Sequence, residues 1–155
     1  MILRREPIRL LKRKRSRVKI EGPKCVLIIS DELPIGLAVN AAGVLAVTLG
    51  HRIESLVGPD VADGSGQVHA GLINITMPIL KARKIVLREI KMQASLMDEL
   101  FVADLTETAQ TARTYREYAA KMAALNCEQI DYLGLALYGD RTKVNKLTGN
   151  LSLLR

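Results

Sequence analysis

The sequence predicts an α/β domain of three layers, with helices on both faces of a mixed sheet of about four core strands. Two observations predict it. Apolar runs of strand length, at residues 25–29, 100–103 and 132–138, each end in a polar residue or a turn signal. Stretches with the length and spacing of helices alternate with these runs along the chain. The chain has 155 residues, so we expect residues 25–155 to form a single domain with a core of its own.

The first strand and the first helix organise the rest of the domain. Residues 25–29 are continuously apolar and β-branched, which predicts a strand buried on both faces. Residues 36–49 are rich in Ala, Leu and Val and carry no charge, which predicts a helix enclosed on most sides. In open α/β sheets the ligand crevice lies outside the carboxyl ends of the strands, so the polar residues after this strand mark a candidate site.

The middle of the chain predicts a hairpin, a strand and a helix. Residues 57–62 and 67–70 can pair across the Asp63–Gly66 turn signal. Residues 72–77 alternate between apolar and polar side chains, which predicts a strand with one buried face. Residues 79–96 have the spacing of an amphipathic helix.

The last third predicts two more strands and two more helices. After the strand at 100–103, Thr106 is expected to cap a helix over 107–126. Its predicted buried stripe consists of Ala109, Ala112, Tyr115, Ala119, Met122 and Ala123. The final strand, 132–138, leads to Asp140, which is expected to cap a short helix that ends at Gly149.

The positive charge is concentrated in residues 1–24. They carry ten Lys or Arg and two Glu, for a net charge of +8, whereas residues 25–155 have a net charge of −1. A block of this kind predicts a flexible N-terminal extension, and the alternative is an arm that contacts nucleic acid or an anionic membrane. An RNA contact would use Arg4, Arg5, Lys12, Arg13, Lys14 and Arg15.

Neither a membrane protein nor a secreted protein is expected. No apolar signal-peptide core follows the N-terminal charges. The apolar run at 33–50 contains Pro, Gly and Asn, which favour a core helix over a membrane span. Cys25 and Cys127 lack disulfide or metal spacing, which suits the reducing cytoplasm. His51 and His69 are the only histidines and form no metal motif, so we expect neither a metal nor a cofactor.

Two acidic residues and one amide are candidates for chemistry. Asp31 and Asp104 each follow an apolar run, and if the two strands are parallel their carboxylates reach the same sheet edge. They could then act as acid, base or cation ligands, and the alternative is that each caps a helix or turn. Asn40 lies on an apolar helix and needs a partner, which can be backbone, water or ligand.

Two segments resemble the peptidyl-tRNA hydrolase II family. Residues 26–45 (VLIISDELPIGLAVNAAGVL) resemble its opening strand, loop and helix, and residues 133–154 (LGLALYGDRTKVNKLTGNLSLL) look like its closing strand, turn, helix and end. The resemblance implies that family's α/β fold. Where the family has a Lys, a Gln and often a His on the first helix, this chain has Leu37, Ala41 and Val44.

The later acidic and hydroxyl segment of the family has an echo in Asp104, Thr108 and Gln110. The whole pattern looks like an uncharacterised bacterial family that is placed beside these hydrolases. We therefore expect a protein that keeps the hydrolase-like scaffold, lacks the hydrolase chemistry, and binds a small ligand or partner in the strand-end crevice. The candidate lining residues are Asp31, Asn40, Asp104, Thr108, Gln110 and Asp140.

Two other hypotheses stay open. The first is hydrolysis of peptidyl-tRNA or a related ester on a rearranged site, with Asp104 and Thr108 as candidate catalytic residues. The second is a homodimer, because an uncharged helix that is enclosed on all sides is hard to cover within a domain of this size.

Overall fold

The computed structural model describes residues 22–155, and a five-stranded mixed sheet forms its centre. The strands of this sheet are β1 (Lys24–Ser30), β4 (Ile79–Ala82), β5 (Leu100–Thr106), β6 (Tyr132–Gly139) and β7 (Ser152–Leu153). Their spatial order is β5-β6-β1-β4-β7. A separate hairpin pairs β2 (Val61–Ala62) with β3 (Val68–His69), as predicted from the turn signal between them.

The strand directions decide which chain ends meet at each sheet edge. β1 is parallel to β4 and antiparallel to β6, and β5 is antiparallel to β6. β1, β4 and β5 therefore run in the same direction, and their carboxyl ends share one edge. The carboxyl end of β6 lies at the opposite edge, where Gly139 pairs with Lys24 and Leu100.

Helices cover both faces of the sheet and confirm the predicted three-layer α/β architecture. The helices are α1 (Ile35–Arg52), α2 (Lys84–Ser95), α3 (Glu107–Thr111), α4 (Tyr115–Ala123) and α5 (Arg141–Thr148), with a 3₁₀ turn at Cys127–Gln129. One core cluster joins α1 to the sheet through Leu27, Ile29 and Leu45. The other joins α2 and α5 to the opposite face through Ile28, Leu87 and Val144.

The first strand is buried on both faces, as its apolar run predicts. Residues 25–30 are all fully buried. Because side chains alternate along a strand, Cys25, Leu27 and Ile29 face α1, while Val26 and Ile28 face α2 and α5. The strand therefore contributes to both halves of the core.

The prediction that α1 is enclosed on most sides is wrong for this subunit. Its buried residues are Ala38, Ala41, Ala42, Leu45 and Leu49, which form one stripe against the sheet. On the other side Val39 is 63% exposed and Val47 is 74% exposed. The absence of charged residues on α1 did not mean that the whole helix is buried. Small alanines form the face that packs on the sheet, and larger apolar residues face outward. By length and a mean hydropathy of 1.3, α1 is the one helix of residues 22–155 that could cross a membrane, a test that core helices also pass.

The predicted strand at 72–77 and the predicted start of the next helix are also wrong. Residues 72–77 form no strand, and only Ile73 makes an isolated bridge, to Val57. The strand lies instead at Ile79–Ala82, where Leu27 pairs with Ile79 and Ser30 with Ala82. α2 starts only at Lys84. Pairing with the buried β1 overrides the local helical spacing here, because Leu80 and Ala82 become buried in the sheet.

The single helix predicted over 107–126 is two helices in the structure. Thr106 caps α3 as predicted, and its hydroxyl accepts a hydrogen bond from the Ala109 amide at 3.2 Å. The chain then becomes extended at Ala112, and Thr114 caps α4 by accepting from the Glu117 amide at 3.1 Å. None of the residues of α3 or α4 is fully buried, so the predicted buried stripe is wrong as well.

Two predictions concern the helix near the C-terminus and the basic residues near the N-terminus. Asp140 caps α5 as predicted, accepting from the Lys143 amide at 3.0 Å, and the helix ends at Gly149. The residues predicted for an RNA contact lie outside the described residues, and these are Arg4, Arg5, Lys12, Arg13, Lys14 and Arg15.

Candidate ligand-binding groove

A groove of about 530 Å³ lies between α1 and the segment that contains α3 and α4. We call it the α1–α4 groove. Asn40, Val44 and Thr48 line it from α1, at successive turns of the helix. The other wall is lined by Asp104, Leu105, Ala109, Gln110, Ala112, Arg113, Thr114, Tyr115 and Tyr118.

The strand directions bring the two walls together. α1 follows β1 and α3 follows β5, and both strands end at the same sheet edge. Asn40 and Gln110 meet across the groove, where Asn40 Nδ2 donates to Gln110 Oε1 at 3.3 Å. Within residues 22–155, Asn40 Oδ1 and Gln110 Nε2 have no hydrogen-bond partner, so the amide pair presents one acceptor and one donor.

Thr48 is the other polar residue that the α1 wall contributes. Its hydroxyl donates to the Val44 carbonyl at 3.0 Å, so its partner is its own helix. Asn40 differs from Thr48, because its side-chain amide donates a hydrogen bond to Gln110 on α3.

The break between α3 and α4 places Arg113 and two tyrosines on the groove. The Arg113 backbone amide donates to Glu117 Oε2 at 3.0 Å, which fixes the break. Hydrogen bonds from Lys121 and from this amide lower the pKa of Glu117. The Arg113 guanidinium itself has no ion pair or hydrogen bond within the part of the chain that the structure describes.

The two tyrosines form an aromatic edge to the groove. The rings of Tyr115 and Tyr118 have centroids 5.6 Å apart and an interplanar angle of 70°. Tyr115 is 83% exposed, which leaves ring surface open to a ligand. Burial, followed by the nearby Asp104 charge, raises the pKa of Tyr118, so it stays a neutral phenol at physiological pH.

Asp104 borders the groove, but its carboxylate belongs to the other face of the sheet. Asp104 pairs with Leu135 on β6, and Leu135 pairs with Ile28 on β1. Leu135 and Ile28 both face α2 and α5, and paired residues share a face of the sheet, so the Asp104 side chain lies on that face as well. On that face Asp104 Oδ2 lies 2.7 Å from Lys91 Nζ. The same carboxylate helps to raise the pKa of Tyr132, after the larger effect of burial.

The remaining predicted site residues lie elsewhere. Thr108 lines a second groove, of about 520 Å³, together with Lys121, Gln129 and Asp131. Asp31 is exposed at the carboxyl end of β1 and lines neither groove. Asp140 caps α5 at the opposite sheet edge. The predicted crevice therefore brings together Asn40, Gln110 and Asp104, and not Asp31, Thr108 or Asp140.

Sequence reasoning missed Arg113 and Tyr115, because it placed both inside one long helix. The signal that would have found them is Thr114 followed by Glu117 three residues later, the pattern of a helix start. A new start at Thr114 puts the preceding residues in a loop. Residues 22–155 contain no group of three or more His, Cys, Asp or Glu side chains that could hold a metal ion.

Fold and groove define an α/β protein with a mixed five-stranded sheet and a polar-aromatic groove at the ends of its co-directional strands. The chain belongs to DUF2000, a family of proteins of unknown function, whose profile matches residues 23–155. This confirms the prediction of an uncharacterised family. The further resemblance to peptidyl-tRNA hydrolase II stays a prediction.

A solved structure has the same fold. It is the protein of unknown function Atu0240 from Agrobacterium tumefaciens strain C58, which superposes with a TM-score of 0.80 at 19% sequence identity. The match covers 88% of this chain and 100% of that one. No curated protein matches this chain.

Proposed function

We propose that the protein binds a small organic anion that carries a flat ring, and that the α1–α4 groove is its site. The observation that carries this proposal is the convergence of Arg113, the Asn40–Gln110 amide pair and the two tyrosines on one groove. The proposal is one of binding, without a reaction.

The charge of the groove supports an anion. Arg113 and Asp104 are the charged residues of its lining, and the Asp104 carboxylate is paired with Lys91 on the other face of the sheet. The guanidinium of Arg113 is therefore the charge that a ligand would meet. Its donors fit the geometry of a carboxylate or a phosphate.

The side chains on the walls of the groove favour a ligand that carries a flat ring beside its anionic group. Tyr115 offers an exposed ring face, and aromatic pairs favour offset or edge-to-face packing. The amide pair on the other wall offers a donor and an acceptor to a polar ring edge. A volume of about 530 Å³ fits a small metabolite, since ligand pockets span roughly 300–1,000 Å³.

Phenyl phosphate tests the proposal, because it joins a ring to a dianion. Its affinity is measured by isothermal titration calorimetry on the full chain, beside inorganic phosphate and phenol. We expect phenyl phosphate to bind more tightly than either fragment. Arg113→Ala should weaken it about tenfold or more, the value of a charge-assisted hydrogen bond of 1.5–3 kcal/mol.

Arg116→Ala is the matched control, since Arg116 is an exposed arginine nearby that does not line the groove. It removes the same charge and should leave the affinity unchanged. Equal losses in the two variants would show that only net charge matters and would overturn the site. Absence of saturable binding in the unmodified chain would overturn the proposed ligand class.

The hydrolytic alternative has less support. Thr108 lines the second groove, which Asp104 does not line, and the Asp104 carboxylate is held by Lys91. At the family positions on α1, Ala41 is buried in the core and Leu37 carries no charge. A single-turnover assay on N-blocked aminoacyl-tRNA tests it directly. Cleavage that Asp104→Ala abolishes would favour hydrolysis over simple binding.

A further inference from the structure

The side of α1 that faces away from the sheet carries a stripe of small and apolar residues. It consists of Gly36, Val39, Gly43, Val47 and Gly50, and we call it the outer stripe. At 3.6 residues per turn these positions share one side of the helix. The residues of α1 that pack on the sheet, among them Ala38, Ala41 and Leu45, lie on the other side.

Nothing within residues 22–155 explains the outer stripe. A Cβ atom added at Gly36, Gly43 or Gly50 would meet no atom within 4 Å, so internal packing does not require these glycines. A glycine inside a helix costs about 0.5–1 kcal/mol relative to alanine. Glycines on a helix surface do allow a second helix to approach closely.

The exposed apolar surface along this helix is unusual for a soluble domain. Residues 35–50 contain no charged side chain. Val39 and Val47 are 63% and 74% exposed, and Ile35 at the start of the helix is 76% exposed. Contiguous apolar surface of this kind marks an interaction site.

The outer stripe is symmetric about Gly43, and this symmetry favours a second copy of the chain as the occupant. When two copies of α1 pack antiparallel with Gly43 on the two-fold axis, Val39 faces Val47 of the partner subunit, and Gly36 faces Gly50 of the partner subunit. Such a pattern suits a two-fold interface, in which one patch meets its own copy and residue i contacts residue j on both sides of the axis. The absence of charge also removes like-charge repulsion across the axis.

We infer that the outer stripe is the homodimer interface of this protein, with α1 packed antiparallel against α1 of a second copy. The outer stripe adjoins the α1–α4 groove on the helix surface but shares no residue with it. The inference is therefore independent of the proposed ligand, and their tests can fail separately.

The available area predicts a dimer that dissociates on dilution. An 18-residue helix is about 27 Å long, and a standard interface buries about 800 Å² per partner. One helix supplies only part of this area.

Sedimentation velocity of the full chain over a wide concentration range tests the interface. We expect a shift from monomer to dimer as concentration rises. Gly43→Glu should keep the chain monomeric throughout, because it puts two carboxylates at the axis. The space at Gly43 is open, so the variant should fold, and its circular dichroism spectrum checks this.

Leu96→Glu is the matched control. Leu96 is 86% exposed at the end of α2, in the other helical layer, so its replacement should leave the dimer intact. A chain that is monomeric at every concentration would overturn the inference. A dimer that survives Gly43→Glu, or that Leu96→Glu also abolishes, would overturn it as well.

A crosslink tests the two-fold axis itself. For helices packed about 8–10 Å apart, with Cα atoms about 2.3 Å from each axis, facing Cα atoms lie roughly 3.5–5.5 Å apart. This range overlaps disulfide geometry. In a Cys127→Ser background, Gly43→Cys should oxidise to a covalent dimer, whereas Leu96→Cys should not. Dimerisation without this crosslink would refute the antiparallel arrangement.

Discussion

The ammonium group of Lys91 on α2 lies 2.7 Å from Oδ2 of Asp104 on the edge strand β5. The two side chains are only 23% and 21% exposed, so the pair lies largely out of water. It connects a helix to the outermost strand of the sheet and neutralises a carboxylate beside the α1–α4 groove.

The first prediction concerns the strength of this pair. A double-mutant cycle with Lys91→Met and Asp104→Asn should give a coupling free energy of about 1 kcal/mol, at the upper end for exposed pairs because screening is reduced. Urea unfolding of the four proteins measures it. The control is the more exposed Glu117–Lys121 pair, at 2.6 Å, which should couple by only about 0.3–0.5 kcal/mol. Equal coupling energies would contradict the argument from burial.

The second prediction separates Asp140 from the groove. Its carboxylate accepts from the Lys143 amide at the start of α5, at the sheet edge opposite the carboxyl ends of β1 and β5. Asp140→Ala should therefore lower the free energy of unfolding by about 1 kcal/mol through loss of the helix cap. It should leave the affinity for phenyl phosphate unchanged. Asp140→Asn is the control for the cap, because asparagine caps a helix as well as aspartate does.

Local sequence patterns correctly predicted those elements whose residues have one strong structural preference. The apolar run at 25–29 became a fully buried strand, and Thr106 and Asp140 became helix caps. These features depend on burial and on hydrogen bonds within a few residues, which a sequence shows directly.

Local patterns failed where distant pairing decides the outcome. Ile79–Ala82 has helical spacing but forms β4, because β1 offers it a parallel partner. The direction of β6 also decides that Asp140 lies far from the site, and strand order cannot be read from one sequence. Arg113 was missed for a similar reason. Its position on the groove depends on the break between α3 and α4 and on the placement of α1 across the groove.

The third prediction concerns Gly139 at the end of β6. It has φ of +155°, and an added Cβ would lie 2.7 Å from the Glu99 carbonyl oxygen, which is backbone and cannot move aside cheaply. Gly139→Ala should lower the free energy of unfolding by about 1–3 kcal/mol. Thermal and urea unfolding measure this. Gly64→Ala is the control, since a Cβ there meets nothing within 4 Å, and an equal loss in both variants would contradict the steric explanation.

The fourth prediction concerns the two cysteines. Burial raises the pKa of the Cys25 thiol to about 11, whereas Cys127 is exposed. Because the thiolate is the reactive form, a thiol reagent at neutral pH should modify one cysteine in the native protein and two in denaturant. Cys127→Ser should abolish the native reaction. A rapid native reaction in that variant would show that β1 opens readily to solvent.

The fifth prediction concerns the turn between β2 and β3. The Asp63 carboxylate accepts hydrogen bonds from the Ser65 hydroxyl at 2.6 Å and from the Gln67 amide at 3.0 Å, and His69 Nε2 lies 3.3 Å away. The Ser65 hydroxyl makes the largest contribution to a pKa well below the ordinary value of 3.8. A carboxyl whose pKa is lowered by folding stabilises the hairpin above its unfolded pKa. That contribution is lost as the pH falls through the lower folded value.

NMR measures this titration through the carboxyl carbon of Asp63 between neutral pH and strong acid. The midpoint should lie well below 3.8 in the unmodified chain, and Ser65→Ala should move it back upward because the largest contribution is removed. Thr76→Ala is the control, since it removes a hydroxyl from the same long connection without touching Asp63. A midpoint that Ser65→Ala leaves in place would mean that the backbone amides of the turn lower the pKa by themselves.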